Sequence, residues 1–346
     1  MTRERMGGGN FHRERDDDFG RAMHTEPLPR RRWIDGRGPL ILAGIAAALA
    51  GTAIAVNWQA RRMERRHPPV GKFVTVNGVR LHYLEAGEGP PVVLLHGNAS
   101  MLNDVALGLL EPLSRKYRVI AFDRPGFGYS ERPRNRVWSP EAQAALFRDA
   151  FRLLGLDRPV LYGHSFGAVV VITFAVHHPA ETRGVVPASG YYYPIRRLDA
   201  AIAWMNDLPV IGRVLRNTLT PVQGLMLGNL AVRFLFDPAP VSRAYESFPA
   251  GLALRPEQLR AAAEDGTTLR AWAKRTEGLY RDVQVPVVVV SGDGDRVVGY
   301  QDHSLRLSRE IPGAELRLVP GSGHMVHHTR PGDVIKAIDA AFAKAE

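Results

Sequence analysis

The sequence predicts an α/β protein: a mostly parallel sheet with helices on both faces, an inserted helical segment, and one apolar helix ahead of the sheet. Three observations carry this. From residue 72 onward, short continuous apolar runs of the kind found in strands buried on both faces alternate with helical patterns. The alternation lapses once, between about Tyr193 and Tyr280, where short amphipathic pieces are broken by prolines. Upstream, 18 residues without a charge run from Pro39 to Val56, bracketed by arginines.

Composition sets the outer bounds. Of 346 residues, 45% are hydrophobic and 23% charged, which excludes global disorder. Cysteine is absent, so disulfides, thiolate metal sites and cysteine nucleophiles are excluded together. The formal net charge is +10, but residues 1–72 hold 14 Lys+Arg against 8 Asp+Glu and so supply six of those ten charges. The rest of the chain is nearly balanced, which argues against nucleic-acid binding by the folded part.

Residues 1–37, with Gly7-Gly8-Gly9 and mixed Arg and Asp, lack apolar periodicity and read as a disordered basic tail. Residues 38–58 read as a transmembrane helix. Eighteen residues in a helix reach about 27 Å, close to the ~30 Å hydrocarbon core, and Trp58 suits the headgroup region. A signal peptide cleaved after Ala48-Leu49-Ala50 is the alternative. The long preceding segment with Asp16, Asp17 and Asp18 favours an uncleaved anchor. The expectation is therefore a single-pass membrane protein, of bacterial inner-membrane type. Four basic residues lie within fifteen positions of either end, so the charges assign no orientation.

The expected body begins with a hairpin, 73–76 and 79–83, around the turn Asn77-Gly78. Further strands are expected at 91–95, 117–122, 159–162, 184–187, 286–290 and 315–319, with helices at 140–154, 166–178 and 331–344. Residues 70–193 and 281–346 form the two parts of this core. Residues 194–280 form the insertion, with helical pieces at 198–205, 224–236 and 256–265. It either pads a sheet face or forms a cap over the strand ends.

The chemistry centres on Gly163-His164-Ser165-Phe166-Gly167, between an apolar strand and a helix. A serine at that junction projects its hydroxyl from a tight turn, while the helix N-terminus behind it favours a developing oxyanion. Serine needs a base. His324, in Gly321-Ser322-Gly323-His324, follows the strand at 315–319 and so lies at the carboxyl end of the sheet. A carboxylate to orient it comes from Ser291-Gly292-Asp293-Gly294-Asp295. Asp295 is preferred, because Gly292-x-x-Asp295 gives the loop room to turn back. Asp293 is the alternative, its other role being to hold the turn. His327 and His328 have no carboxylate to complete a metal site and read as surface residues. No metal and no cofactor is expected.

The chain from about Phe73 to Ala345 resembles the α/β-hydrolase superfamily, in its serine-nucleophile branch with a helical cap and, here, an N-terminal membrane anchor. The pieces that carry the resemblance occur in order: Leu95-His96-Gly97-Asn98, Phe122-Asp123-Arg124-Pro125-Gly126-Phe127-Gly128-Tyr129-Ser130, Gly163 through Gly167, Gly292 through Asp295, and Gly323-His324. The resemblance implies Ser165, Asp295 and His324 as catalytic residues, with the backbone N–H groups of Asn98 and Phe166 forming the oxyanion hole. It implies that His96 braces its loop and that Asp123 and Arg124 order their turn, Arg124 being also placed to reach a carboxylate-bearing substrate. Aspartate-nucleophile relatives, the haloalkane dehalogenases and epoxide hydrolases, are disfavoured by Ser165, and a His-Gly-Gly-Gly loop is absent.

The expected activity is acyl hydrolysis of small or lipophilic ester-like substrates through an acyl-enzyme. Lactonase, amidase, carbon–carbon bond hydrolase, perhydrolase and acyltransferase are alternatives on the same residues. A non-catalytic membrane-anchored scaffold is the alternative of another class. Tyr191-Tyr192-Tyr193 enters the insertion, either lining a pocket mouth or, as favoured, packing the insertion on the core.

Overall fold

The computed structural model describes residues 37–194 and 205–345. The tail expected over 1–37 and the helical piece expected at 198–205 lie outside the described residues, save their last residues Arg37 and Met205. Helix α1 (Arg37–Arg66) opens the described chain. The chain divides after Ala48, so the second half of α1, from Leu49, belongs to the body. The helix outlasts the expected boundary at 58 because Gln59, Ala60, Arg61, Arg62, Met63 and Glu64 are all good helix formers. By length and composition, its segment from Gly38 is apolar enough to cross a membrane.

Eight strands form one sheet: β1 (Lys72–Val76), β2 (Val79–Ala86), β3 (Pro91–Leu95), β4 (Arg118–Phe122), β5 (Val160–His164), β6 (Gly184–Ala188), β7 (Val288–Gly292) and β8 (Glu315–Val319). Their spatial order is β1-β2-β4-β3-β5-β6-β7-β8. The hairpin strands are antiparallel to their neighbours and all later pairs are parallel. Asn77 and Gly78 take φ of 49° and 76°, as the two-residue turn requires. β7 starts two residues later than the sequence pattern suggests, because Val287 makes only an isolated bridge to Val185.

Helices α2 (Leu102–Ala106), α3 (Leu110–Ser114), α4 (Pro140–Leu153) and α5 (Phe166–His177) follow the first strands. α4 starts where Ser139 accepts a hydrogen bond from the Ala142 N–H and Pro140 supplies a pre-set φ. Strand alternation sorts the core into two layers. Val93, Leu95 and Leu161 pack with Phe147 and Phe174 of α4 and α5 on one face. Val92, Leu94 and Tyr162 pack on the other with Val334 and Ile338. α5 is apolar all round and buried through most of its length, so β5 and α5 form the centre of the molecule.

Between β6 and β7 the chain runs through α6 (Ile211–Asn217), α7 (Leu219–Phe236), α8 (Ala250–Ala253) and α9 (Pro256–Thr276). α9 continues past Asp265 because Trp272, Ala273 and Thr276 are buried further along it. The expectation of an amphipathic α7 is overturned. Leu225, Met226, Leu227, Leu230 and Phe234 are half or more exposed, and only Pro221 and Phe236 are buried. The last helices are α10 (Arg306–Glu310), α11 (Val326–Thr329) and α12 (Pro331–Ala343). Tyr191, Tyr192 and Tyr193 are buried in the core around His303 and Tyr280, which agrees with packing over a pocket mouth.

Candidate active site

The turn from β5 into α5 holds Ser165 at φ 53°, ψ −114°, a conformation that a residue with a side chain rarely adopts. It persists because the backbone around it is packed too closely to relax. A Cβ built on Gly163 would lie 2.2 Å from the Gly167 carbonyl oxygen, and one on Gly167 would lie 2.3 Å from that of Leu95. Both glycines are therefore dictated by space. Phe166 is the first residue of α5, so its N–H has no intrahelical acceptor.

The loop after β3 crosses directly over the serine. A Cβ on Gly97 would come 3.1 Å from the Ser165 Cβ. The Asn98 side chain is turned elsewhere: its Nδ2 donates to the Ala262 carbonyl at 3.0 Å, and its Oδ1 accepts from the Ala99 N–H at 2.9 Å. Any role of Asn98 toward the serine thus falls to its backbone. His96 braces the loop, its Nδ1 against the Gly97 carbonyl (2.7 Å) and its Nε2 accepting from the Arg124 N–H (2.9 Å). Burial, with Arg124 beside it, lowers His96 to about 4, so it stays neutral and keeps that acceptor.

Arg124 corrects the sequence reading. It is fully buried and engaged throughout, so it reaches no substrate carboxylate. Its Nη1 pairs with Asp265 of α9 at 2.6 Å, while Nε and Nη2 donate to the carbonyls of His96 (2.9 Å) and Gly97 (3.0 Å). Asp265 also takes Arg132 at 3.0 Å and Gln143 at 3.1 Å. The inserted helix α9 is thereby locked to the loop over Ser165. Gln258, also on α9, adds hydrogen bonds to the Gly128 N–H and the Ser100 carbonyl.

Across the sheet, His324 Nδ1 meets Asp295 Oδ2 at 2.9 Å, with both side chains buried. The other Asp295 oxygen accepts from the Val297 and Val298 N–H groups, which fixes the carboxylate. Asp293 instead accepts from the Gly321 N–H at 2.8 Å and holds the two loops together. Of the two aspartates, Asp295 is the partner of His324. The end of α7 supports the same loop, since the His324 N–H donates to the Leu235 carbonyl at 2.9 Å.

Behind His324 lies a layer the sequence reading missed. His164 stands between His324 and His327, with ring centroids 4.8 and 4.4 Å apart, and its Nε2 donates to the His324 carbonyl at 2.9 Å. His327 and His328 are buried, against the expectation that they lie on the surface. A carboxylate does join them: Asp104 of α2 accepts from Nε2 of His327 at 3.2 Å and of His328 at 2.8 Å. Asp104, His164 and His327 each bring a potential ligand atom within 4.8 Å of the others. Burial opposes the charge on Asp104, yet the two imidazole donors hold it well below the usual carboxylate range. Burial lowers His327 to about 4 and pushes His164 well below the ordinary imidazole value. The sequence signals for this layer were His164, inside the serine pentapeptide, and the pair His327 and His328 just after His324.

Residues 90–331 match the alpha/beta hydrolase fold family, and the chain belongs to it. It is 28% identical over 282 residues to a 2-hydroxy-6-oxo-2,4-heptadienoate hydrolase of Pseudomonas putida, covering 79% of this chain and 96% of that protein. A thermophilic esterase from Thermogutta terrifontis superposes with a TM-score of 0.62 at 21% identity, over 80% of this chain and 99% of the esterase. A bacterial membrane phospholipase A superposes with a TM-score of 0.61 at 22% identity, over 89% of this chain and 97% of that one. Family membership and the hydrolase names of these relatives support a hydrolase.

Two expectations follow. Replacing Asp265 with Asn leaves Arg124 buried without a counter-charge and Arg132 with Glu264 alone, and should cost about 3–5 kcal/mol in urea unfolding. A loss near zero would show that the pair does not hold the loop. The depressed values of His96, His164 and His327 mean that the unfolded chain binds protons the folded one refuses. Their contribution is complete above the unfolded imidazole value of about 6.5 and is lost as pH falls toward about 4. The melting midpoint by circular dichroism should therefore drop between about pH 7 and about pH 5, and a flat profile would contradict neutral buried imidazoles.

Proposed function

Starting from that family membership, we propose that the protein is a serine hydrolase that cleaves ester-like acyl bonds of small or lipophilic substrates. Ser165, His324 and Asp295 are the reacting and orienting residues in this reading. The observation that carries it is the buried 2.9 Å contact of His324 Nδ1 with Asp295, on the loops that follow β8 and β7 at the same end of the sheet as Ser165. Ser165 Oγ attacks the substrate carbonyl carbon while His324 Nε2 takes its proton. Asp295 holds the imidazole in the needed tautomer and stabilises the imidazolium. The N–H groups of Asn98 and Phe166 receive the oxyanion. His324 then gives its proton to the leaving alcohol, and a water activated by the same imidazole discharges the acyl-enzyme.

Carbon–carbon bond hydrolysis is the second reading, favoured by the near full-length similarity to the Pseudomonas putida heptadienoate hydrolase. Both reactions use the same serine and differ in the bond presented to it. For localisation, the reading is a single-pass anchor through α1, supported by its apolar stretch from Gly38 and its outward-facing Leu40, Ile41, Leu42 and Ile54. The helical insertion is read as a cap, supported by the contacts of α7 with the His324 loop and of α9 with the Asn98 loop.

A fluorophosphonate probe should label the wild-type chain and neither Ser165→Ala nor His324→Ala. Ester turnover should fall about 10⁶-fold in Ser165→Ala and about 10⁴-fold in Asp295→Asn. A folded wild type that resists the probe would reject the hydrolase mechanism in favour of a scaffold. Turnover of a vinylogous diketone with no cleavage of any ester would favour the second reading.

A further inference from the structure

The second half of α1, from Leu49, packs on the inserted helices through polar and apolar contacts. Asn57 Nδ2 donates to Asn217 Oδ1 at 3.1 Å, Glu64 pairs with Arg255 at 2.9 Å, and Met63 lies against Gly251. Two hollows open along this junction. One, of about 290 Å³, is apolar, between Val56, Trp58 and Ala60 of α1 and Val222, Leu225 and Leu254 of the insertion. The other, of about 1180 Å³, is polar and rich in arginine, and it begins at Ala60 and Arg61. Ala60 lines both, so an apolar groove runs into a basic cleft.

The arginines of that cleft divide into two kinds. Arg132, Arg134, Arg255 and Arg260 are paired with carboxylates. Arg61, Arg136, Arg213 and Arg216 have no carboxylate partner among the described residues, Arg136 lying instead over the Trp138 ring; of the cleft's carboxylates, Glu64, Glu131, Glu257 and Glu264 are engaged by other arginines and Asp207 accepts from Thr267. Arg216 is the decisive one. It is 8% exposed, and its Nη1 is buried without an acceptor. Glu257, Glu264 and Asp207 offset part of its charge from a distance without bonding it, so Nη1 keeps the cost of an unmade hydrogen bond, which an anion entering the cleft removes. Arginine's fork of donors suits a phosphate.

We infer that this junction binds an anionic glycerophospholipid of the surrounding bilayer, with its phosphate on Arg216, Arg213 and Arg61 and an acyl chain in the groove between α1 and α7. The inference rests on reading α1 as a membrane anchor. On that reading, Trp58 and Arg61 stand at headgroup depth, where phosphates are found. It also accounts for the exposed apolar side chains of α7, which continue outward from the groove as a lipid-facing surface. The lipid here is a bound ligand that joins the anchor to the cap, away from Ser165.

The test uses the full chain carrying Ser165→Ala, so that no lipid is turned over, in neutral detergent. Dihexanoyl phosphatidylglycerol, dihexanoyl phosphatidylcholine and inorganic phosphate are titrated separately, with binding read from the shift in melting midpoint. Phosphatidylglycerol should bind at least about tenfold tighter than either of the others. Arg216→Met should weaken it at least about tenfold without lowering the unliganded midpoint, because no ion pair is lost with the arginine. Leu225→Glu should weaken the lipid and leave inorganic phosphate unchanged. Equal affinity for phosphate and phosphatidylglycerol would overturn the lipid assignment in favour of a simple anion site. Unchanged lipid affinity in Arg216→Met, or a collapse of its unliganded midpoint, would overturn the site itself. Extraction of the chain from membranes by carbonate tests the anchor separately, and Arg216→Met should not alter it.

Discussion

The loop over the serine and the inserted helix α9 both depend on one buried charge, Arg124. A guanidinium buried completely under the loop that crosses the serine must be neutralised and must find an acceptor for every donor. Asp265 supplies the charge, and the carbonyls of His96 and Gly97 take two of the donors. Because those carbonyls belong to the loop over Ser165, the demand of the charge fixes the backbone at the site. Because Asp265 belongs to α9, the same demand fixes the insertion. The geometry of the loop and the seating of the inserted helices are one electrostatic problem with one solution.

A second layer does the equivalent for the histidine. Asp104 and the imidazoles of His164, His327 and His328 form a buried polar wall behind His324. Its hydrogen bond from His164 holds the His324 backbone from behind, while Asp295 holds the ring from the side. Burial keeps His164 and His327 neutral at ordinary pH, so this wall links the stability of the region to pH.

The insertion connects these constraints to the second half of α1. α9 holds the Asn98 loop and the end of α7 holds the His324 loop, while α6 and α7 meet the second half of α1. A displacement at the α1 junction is therefore felt at two loops that border the serine. Under the proposed reading, a lipid seated there would stiffen the cap from its outer side, with no contact to the substrate.

The sequence by itself determined the order of strands and helices, the serine turn and the apolar helix. Each is a local matter: burial on two faces writes a continuous apolar run, close backbone approach demands Gly163 and Gly167, and a membrane-length helix excludes charge over its span. The choice of Asp295 over Asp293 was half legible, since it depended on which way a loop turns. The partners of Arg124, His327 and His328 were not legible. Arg124 and Asp265 are 141 residues apart, and Asp104 lies 223 residues before His327. Nothing local to either member of such a pair encodes the other. Only strand order, which sets β3, β5 and β4 side by side and brings β7 and β8 up beyond β6, determines which loops meet and so which buried charges must neutralise one another.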